Sequence, residues 1–572
     1  MGPVVGGENY AYHDLKYGER RLYVASIPSR LSSVLRQFPS PDNLPSPFTV
    51  LIANLMVKRY APYYPLLLLA VLLAWFIFKA TSAPFSDFAG YYFGSKALLQ
   101  GNFEAVYDTW SLNVLITQKG YSGVFVSYTP FPPFTSIVLA PFLLFPVAVS
   151  KILFNVFSAA LFVWVLARAR KYFSLPVWAL WLVPVIFFIP LRNNIFFGQA
   201  YLLLFALLLE GYMAYKKGKR VVAALLWGIA IVFKLFPLVI LFSLLAKKQY
   251  KQVAYCVVAC VLLGLMSVVL NGFASWQYYV FTIFPRANSG ELNDSYTYLF
   301  QSAFMLLKNL FVYDAVQNPQ VVLNSTPVFV ISMVLFKALL MACCVGVTIH
   351  KKVADLMAFA SWITASMLLS PNGSSYSLIL LLMPLLALAN SKRVYLFTVI
   401  ALLLLICFIP VAALGGKPLL LQFPRLYGML LLFGLLIIVA GMQFPIKLFG
   451  AFVAVLLLAD AGKLFPHPDN SKYLLSQELP FVYEYAIKED QLVYYYWDDK
   501  GSHETGTGYA VHDYSTNNVQ IKNNQVYYKD KQLTSTPDRK KQVMLVNGRD
   551  IIYLSDRNRG FGFYTLRTIT NP

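Results

Sequence analysis

One aspartate stands where chemistry could occur in an otherwise apolar part of the sequence. Asp87 follows the first long apolar run, which extends from Tyr63 to Thr81. A carboxylate just beyond a membrane-crossing run lies where lipid-borne and aqueous substrates meet, and it could act as a general base toward an attacking hydroxyl group. The alternative is structural, because Asp87 could cap a short helix over Phe88–Leu99 by accepting backbone N–H bonds. Both interpretations stay open at this point.

The elements that would position this carboxylate are membrane helices. Hydrophobic residues make up 58% of the 572 residues, charged residues 13%, and the mean hydropathy is +0.59, values that soluble globular chains do not reach. Runs such as Lys251–Leu270 and Val394–Val411 approach the roughly 20 apolar residues that a helix needs to cross a bilayer. Helices satisfy their own backbone groups in lipid. We therefore expect an all-α polytopic membrane protein over residues 61–464, with about 13 transmembrane helices by the length criterion.

The basic residues predict the orientation of these helices. Clusters of Lys and Arg stand before the first run and between later runs, and such clusters favour the cytoplasmic side. This places residues 1–60 in the cytoplasm, together with the clusters at 216–220, 247–251, 350–352 and 392–393. It leaves five outer segments that could converge on one face: 83–130, 192–199, 272–327, 370–375 and 415–425. Orientation and anionic lipids explain much of the net charge of +21, so we predict membrane lipids and no nucleic acid as partners.

One stretch does not fit this scheme directly. Residues 131–172 contain two apolar runs, and the basic cluster at 167–171 falls on either side depending on whether both runs cross. A re-entrant or half-spanning run before Pro146 would return the cluster to the cytoplasmic side.

The composition changes after Leu464. Residues 465–572 are polar and aromatic, with short alternating stretches, and Asn547-Gly548 stands between two apolar runs as a two-residue hairpin signal. We predict a small C-terminal β-rich extracytoplasmic domain, either a single sheet or a sandwich.

Short motifs in a fixed order resemble a known family. They are SDF at 86–88, LLQGNFEAVYD at 98–108, YTPFPP at 128–133, Gly198-Gln199, the run Gly228–Pro237 and Ser370-Pro371. Together they resemble glycosyltransferase family 87 of the GT-C superfamily, which includes polyprenyl-phosphate-mannose-dependent mannosyltransferases. The resemblance covers about Asp87–Pro384 and does not extend to the C-terminal domain.

The resemblance implies an enzyme and its reaction. It implies inverting, metal-independent transfer of a hexose such as mannose from a polyprenyl-phosphate donor to a glycolipid or glycan hydroxyl acceptor. No cofactor is expected beyond the lipid-linked donor. The expected location is the bacterial inner (plasma) membrane, with the active site and the C-terminal domain extracytoplasmic. Asp87 matches the position of the family's general base.

The same resemblance gives candidate binding residues. The leaving phosphate needs cations, and Lys234 and Arg192 are the first candidates, with Arg286 and Arg425 behind them. For these the structural alternatives are a lysine that extends to the interface and an arginine that marks a helix end. Further candidates for substrate binding are Asp108, Tyr128, Asn193, Gln199, Gln301 and Tyr376.

Two departures from the family pattern affect these candidates. Family members often have Trp and His after Ser-Pro, whereas this chain continues Asn372-Gly373-Ser374-Ser375-Tyr376, so Tyr376 could replace the histidine as a donor. An Asn-Gln-Ser pattern is here Phe300-Gln301-Ser302. Donor or acceptor recognition could therefore differ from that of the mannosyltransferases.

Two other functions remain as alternatives. A secondary transporter could use Lys234 and Arg192 to bind an anionic solute, but the self-similar halves typical of transporters are not evident. An O-antigen polymerase or ligase also uses lipid carriers, but an arginine-rich late outer loop is expected there. The sequence contains no P-loop, dinucleotide-binding or metal-ligand motif.

Overall fold

A helical body is followed by a smaller β-rich part in the computed structural model. The structure describes residues 63–570, except 122–123, 292–295, 351–352, 390, 466–469, 476–480 and 499–500. The predicted cytoplasmic segment 1–60 lies outside the described residues. The last helix ends at Leu464, where the composition of the sequence changes, and the strands follow it.

The helices of the described residues follow each other with short connections. They are α1 (Tyr64–Ala80), α2 (Asp87–Leu99), α3 (Phe103–Val106), α4 (Thr109–Gln118), α5 (Thr135–Leu139), α6 (Val147–Tyr172), α7 (Val177–Ile186), α8 (Phe188–Phe197), α9 (Tyr201–Lys216), α10 (Arg220–Phe233), α11 (Val239–Ala246), α12 (Tyr250–Asn271), α13 (Phe273–Tyr278), α14 (Phe284–Asn288), α15 (Ala303–Phe311), α16 (Thr326–Ile349), α17 (Asp355–Leu369), α18 (Leu382–Leu388), α19 (Arg393–Phe408), α20 (Pro424–Ala440), α21 (Ile446–Ala459) and α22 (Ala461–Leu464). Short 3₁₀ turns occupy Phe236–Leu238, Ser375–Leu381, Val411–Leu414 and Leu419–Gln422, and a π-helical turn occupies Tyr279–Ile283.

Few of these helices are long enough to cross a bilayer alone. Among the described residues, α6, α12 and α16 meet the criteria of length and apolar composition, and α7 with α8 would add a fourth span bent by 58°. The other apolar helices have only 10–17 residues, short of the roughly 20 needed. The structure therefore supports a helical membrane protein but does not confirm about 13 spans. Proline is one reason for the interruptions, since Pro184 lies inside α7.

The ambiguous stretch over residues 131–172 contains one long helix. The first apolar run forms only α5, with five residues, and the second forms α6, with 26. At the end of α6, the Lys217 ammonium lies 5.1 Å from the centre of the Tyr172 ring, and Arg168 pairs with Glu210 at 2.8 Å. The basic end of α6 thus lies beside the cluster at 216–220, as the half-spanning interpretation predicts.

The five predicted outer segments contact each other. Asp87 and Gln199 join the first two, and the Asn193 amide donates to Ser375 Oγ at 2.8 Å, which connects the second to the end of the fourth. Ser302 Oγ donates to the Pro371 carbonyl at 2.7 Å, and Gln301 donates to the Gln422 carbonyl at 2.6 Å. The predicted convergence is therefore present, while the side of the membrane stays a prediction.

The C-terminal part forms three antiparallel sheets in the described residues. Their strands are β1 (Lys472–Tyr473), β2 (Phe481–Lys488), β3 (Gln491–Asp498), β4 (Gly501–Ala510), β5 (Tyr514–Ser515), β6 (Val519–Lys522), β7 (Gln525–Tyr528), β8 (Lys531–Gln532), β9 (Lys540–Val546), β10 (Asp550–Ser555) and β11 (Thr565–Thr570). The sheet orders are β1-β11-β10-β9-β5, β2-β3-β4 and β6-β7-β8.

The predicted hairpin at Asn547-Gly548 is present with a different loop length. Val546 pairs with Asp550, so the loop has three residues rather than two. Asn547 and Gly548 both have positive φ angles, 51° and 63°. These are the residue types that tolerate the left-handed region, which explains why the sequence signal marked the turn correctly.

Candidate functional site

Asp87 makes its closest polar contact with a side chain from another outer segment. Asp87 is the first residue of α2, and its Oδ2 accepts a hydrogen bond from Gln199 Nε2 at 2.5 Å. The residue before it, Ser86, occupies the cap position without a side-chain cap bond. Burial raises the pKa of the Asp87 carboxyl above its ordinary value, although the Gln199 hydrogen bond and the charges of Lys234 and Lys151 oppose this shift. A carboxyl with a raised pKa is suited to accept a proton.

Gly198 explains how Gln199 reaches Asp87. It ends α8 in the left-handed conformation, with φ of 65°, which glycine adopts without steric cost. A Cβ atom at position 198 would lie 2.5 Å from Cβ of Phe88, the residue after Asp87. Any larger residue would push α8 away from α2, so the Gly-Gln pair brings the carboxamide to the carboxylate.

Gln199 also contacts the predicted phosphate-binding lysine. Its Oε1 accepts hydrogen bonds from Lys234 Nζ at 3.3 Å and from the Tyr91 hydroxyl at 3.1 Å. The Lys234 ammonium lies 4.1 Å from the centre of the Tyr201 ring and 5.1 Å from that of Phe131, distances typical of cation–π attraction. One carboxamide therefore stands between the aspartate and a lysine held among aromatic rings.

A cavity of ≈ 50 Å³ lies beside the same aromatic ring. Its lining includes Tyr201, Gln301, Asn372 and Arg425. The Oδ1 atom of Asn372 is buried and has no hydrogen-bond partner among the described residues. Buried polar atoms are normally hydrogen-bonded, so this oxygen is suited to accept a hydrogen bond from a hydroxyl group of a molecule in the cavity.

Arg425 and Gln301 hold the wall of this cavity together. The guanidinium of Arg425 donates to the carbonyls of Ile406 and Ile409 at 3.1 and 3.2 Å, at the end of α19. Gln301 accepts from the Arg425 backbone N–H at 3.1 Å. Both residues line the cavity, as expected for binding residues, while also satisfying neighbouring backbone groups.

Arg192, Asn193 and Tyr376 lie next to the same region. The Tyr376 ring is 5.4 Å from that of Tyr201, which connects it to the surroundings of Lys234. Arg192 stacks over Phe196 at 4.6 Å and donates to Asn193 Oδ1 at 3.3 Å. Asn193 holds the 370–376 segment through Ser375, so its contacts are those of a positioning residue.

Tyr128 is part of the packing beneath the site. It is fully buried, and a Cβ atom at Gly94 would lie 2.2 Å from its ring. Its ring packs 5.7 Å from Phe131, which borders Lys234. The structure therefore places Tyr128 behind Phe131, where it supports the ring and does not line the cavity.

Asp108 and Arg286 lie at the junction with the C-terminal domain, and their role in substrate binding stays a prediction. Asp108 begins α4 and accepts bonds from Arg539 at 3.2 Å, Lys541 at 3.1 Å and the Tyr564 hydroxyl at 3.1 Å. Burial raises the pKa of the Asp108 carboxyl, but the two cations outweigh that effect and lower it.

Arg286 makes the same kind of contact. It donates from both terminal nitrogens to Asp556, at 2.7 and 3.2 Å, and from Nε to Glu291 at 2.8 Å. Two carboxylates therefore engage its donors, and these ion pairs join the helical body to the loop between β10 and β11. A phosphate would have to displace them.

The sequence predictions missed two features of the site. Lys151 is buried at the start of α6, donates to the Pro84 carbonyl at 2.8 Å and contributes positive charge near Asp87. A lysine inside a long apolar run was the available signal. The aromatic surroundings of Lys234 were also missed, because Tyr91, Phe131 and Tyr201 are far apart in the sequence.

Comparison with known protein families places part of the chain in a family. The family model of glycosyltransferase family 87 matches residues 128–371. No curated protein matches the chain. The matched region contains Gln199, Lys234 and the Ser370-Pro371 motif, whereas Asp87 precedes it and the C-terminal domain follows it.

Proposed function

Since the chain is identified as a member of glycosyltransferase family 87 through residues 128–371, we propose that it transfers a hexose, such as mannose, from a polyprenyl-phosphate donor to a hydroxyl of a glycolipid or glycan. The reaction proceeds with inversion and without a metal ion. The site faces the extracytoplasmic side of a bacterial inner membrane. The observation that carries the proposal is the Gln199 carboxamide between Asp87 and Lys234.

Asp87 supplies the base in this mechanism. The acceptor hydroxyl replaces Gln199 or approaches the second carboxylate oxygen, and Asp87 takes its proton as the oxygen attacks the anomeric carbon. General bases act best when their pKa lies near the working pH. The burial that raises the pKa of Asp87 moves it in that direction.

Lys234 supplies the positive charge for the leaving group. As the new glycosidic bond forms, the bond between the anomeric carbon and the phosphate oxygen breaks, and polyprenyl phosphate leaves with the electron pair. A cation placed where this charge develops stabilises the transition state. The aromatic rings around Lys234 keep it away from bulk water, where its effect would be weaker.

The cavity beside Tyr201 presents polar side chains that can contact part of the donor sugar. Its lining includes Tyr201, whose ring lies beside Lys234, and Asn372, whose Oδ1 has no hydrogen-bond partner among the described residues. A hexose has hydroxyl donors for this oxygen.

The test is transfer by the purified full-length chain. Polyprenyl-phosphate hexoses and nucleotide-activated hexoses are offered separately, with extracted membrane glycolipids as acceptors. We expect product only with the lipid-linked donor, with the opposite anomeric configuration in NMR and with turnover retained in excess chelator. Transfer from a nucleotide sugar, or retention of configuration, would overturn the proposal.

A further inference from the structure

An aromatic surface joins the outer loop that follows α2 to the C-terminal domain. Trp110 of α4 stacks on Tyr483 of β2, with ring centres 3.9 Å apart and planes within 5°. Tyr483 lies 6.1 Å from Tyr495, and Trp110 lies 5.6 Å from Trp497. Tyr495 and Trp497 are two residues apart on β3, so they face the same side of the sheet. These four residues are called the aromatic face.

Polar groups border the aromatic face on the neighbouring strand. In the β3–β4 register, Tyr495 is opposite Glu504 and Trp497 is opposite Ser502. The Tyr483 hydroxyl and Ser502 Oγ are 2.5 Å apart, and Lys488 pairs with Glu504 at 2.8 Å. The side chains of Lys488 and Glu504 remain 50% and 42% exposed, so they can still reach a bound molecule.

The aromatic face itself is only partly covered. Its four side chains are half-buried, and Ser502 and Glu504 beside them are exposed. Strand β4, which forms the edge of this sheet, carries the small residues Gly501, Ser502 and Gly506. A flat, partly exposed surface with aromatic rings and hydroxyl or carboxylate groups at its border remains open on the described part of the domain.

We propose that the aromatic face binds the glycan portion of the acceptor. Pyranose rings have an apolar C–H face and hydroxyl groups at their edge, and aromatic rings with adjacent polar groups complement both features. This inference rests on the proposed function, because a glycosyltransferase must hold an acceptor. The proposed site binds saccharide units of the acceptor other than the unit whose hydroxyl group reacts.

The position of Trp110 connects this binding to the catalytic region. Trp110 belongs to the outer loop that begins with α2 and Asp87, and Asp108, two residues earlier, is bound by Arg539 and Lys541 of the C-terminal domain. A glycan on the aromatic face therefore contacts the domain and the loop at the same time. The aromatic face orients long acceptors toward the outer segments.

A lipid surface is the other molecule that aromatic side chains could contact. Tryptophan and tyrosine are enriched at membrane interfaces, and anionic headgroups attract clusters of Lys and Arg. Among the described residues, Lys488 lies over the Tyr495 ring and is paired with Glu504, so this pair offers no net positive charge to anionic headgroups. The charge distribution favours an uncharged saccharide.

Saturation-transfer NMR on the full-length protein in detergent tests the proposal. The probes are α-linked mannooligosaccharides of four to six units and a β-linked glucan hexasaccharide. Saturation of protein aromatic protons should reach the sugar ring protons of at least one probe. Tyr495→Thr, which keeps β-propensity, should weaken binding of that probe roughly five-fold, the value of about one aromatic contact, and Glu504→Gln should weaken it less.

Two controls separate this site from the catalytic one and from unspecific effects. Tyr514 is 60% exposed on β5, in a different sheet, so Tyr514→Thr should leave binding unchanged. Asp87→Asn should also retain the saturation transfer, because the probe lacks the donor. If the protein transfers no sugar but Tyr495→Thr still removes probe binding, only the proposed reaction fails.

Three results would overturn the inference. They are no saturation transfer to any probe, equal binding by wild type and Tyr495→Thr, and a Tyr495-dependent association with vesicles of anionic phospholipid without probe binding. The last result would assign the aromatic face to the membrane surface.

Discussion

Gln199 Nε2 lies 2.5 Å from Asp87 Oδ2, so the carboxamide that follows α8 is hydrogen-bonded to the carboxylate at the start of α2. The other end of the same carboxamide contacts Lys234 at 3.3 Å. The Gln199 side chain thus contacts both the proposed base, Asp87, and the proposed phosphate-binding cation, Lys234. This arrangement makes the roles of the three residues separable by substitution.

Gln199→Leu removes both contacts while keeping a similar volume. We expect turnover to fall about 10-fold to 100-fold, because a hydrogen bond to a charged group contributes about 1.5–3 kcal/mol. Gln252, a buried glutamine of α12 bonded to the Arg220 carbonyl at 3.1 Å, supplies the matched control. Steady-state transfer assays of Gln199→Leu and Gln252→Leu are compared. Equal losses in the two variants would show that the effect is one of packing.

The pH dependence of kcat/KM reports the protonation of the free enzyme. Because burial raises the pKa of Asp87 above the ordinary 3.8, activity should be lost as the pH falls through a value above 3.8. The Gln199 hydrogen bond and the Lys234 charge both lower that pKa. Removing either should therefore move the acid limb to higher pH. A limb that stays in place in both Gln199→Leu and Lys234→Met would contradict the assignment of Asp87 as the base.

Lys234→Met keeps most of the side chain and removes the charge. The expected result is weaker use of the donor, with KM for the polyprenyl-phosphate sugar raised about 10-fold or more and acceptor KM nearly unchanged. Lys248, at the opposite end of α11 from Lys234, is a control lysine in the basic 247–251 cluster. Lys248→Met should have the donor KM of wild type. If Lys234→Met has that KM as well, Lys234 does not bind the donor phosphate and only extends to the membrane interface.

Arg286 is expected to act on stability instead of donor binding. Its side chain and that of Asp556 are 4% and 0% exposed, so Arg286→Met leaves a buried carboxylate without its partner. Loss of one member of a buried pair costs about 3–5 kcal/mol, which should lower the thermal midpoint in detergent. Arg549, 66% exposed and paired with Asp550, is the control, with under about 1 kcal/mol expected for Arg549→Met. A normal thermal midpoint together with a raised donor KM in Arg286→Met would instead show that Arg286 binds the donor phosphate, as the sequence predicts.

The fold was predictable as far as local patterns determine it. Composition identified a helical membrane body and a β-rich end, and Asn547-Gly548 marked a true turn. The number of spans was not predictable, because interruptions such as the one between α7 and α8 depend on how neighbouring helices pack. Hydropathy counts apolar residues and does not detect a bend.

The site was predictable where a residue type implies its chemistry. Asp87 was selected from its type and position, Lys234 as a cation within an apolar run and through the family resemblance, and Gln199 through that resemblance alone. The three lie together. Asp108 and Arg286 were also selected, but their partners, Lys541 and Asp556, are more than 250 residues away in the C-terminal domain. Long-range ion pairs leave no periodic signal in one sequence, so these two residues could not be separated from substrate-binding ones.

Sugar transfer by Asp87→Asn tests the central claim most directly. Asparagine keeps the size of the side chain and can still bond to Gln199, but it cannot take the acceptor proton. We predict turnover from a polyprenyl-phosphate hexose about 100-fold to 10,000-fold below wild type, with an unchanged thermal midpoint and unchanged donor binding. Asp108→Asn, measured in parallel, should lower the midpoint and reduce turnover much less. Near-normal turnover in Asp87→Asn would contradict the role of Asp87 as the general base.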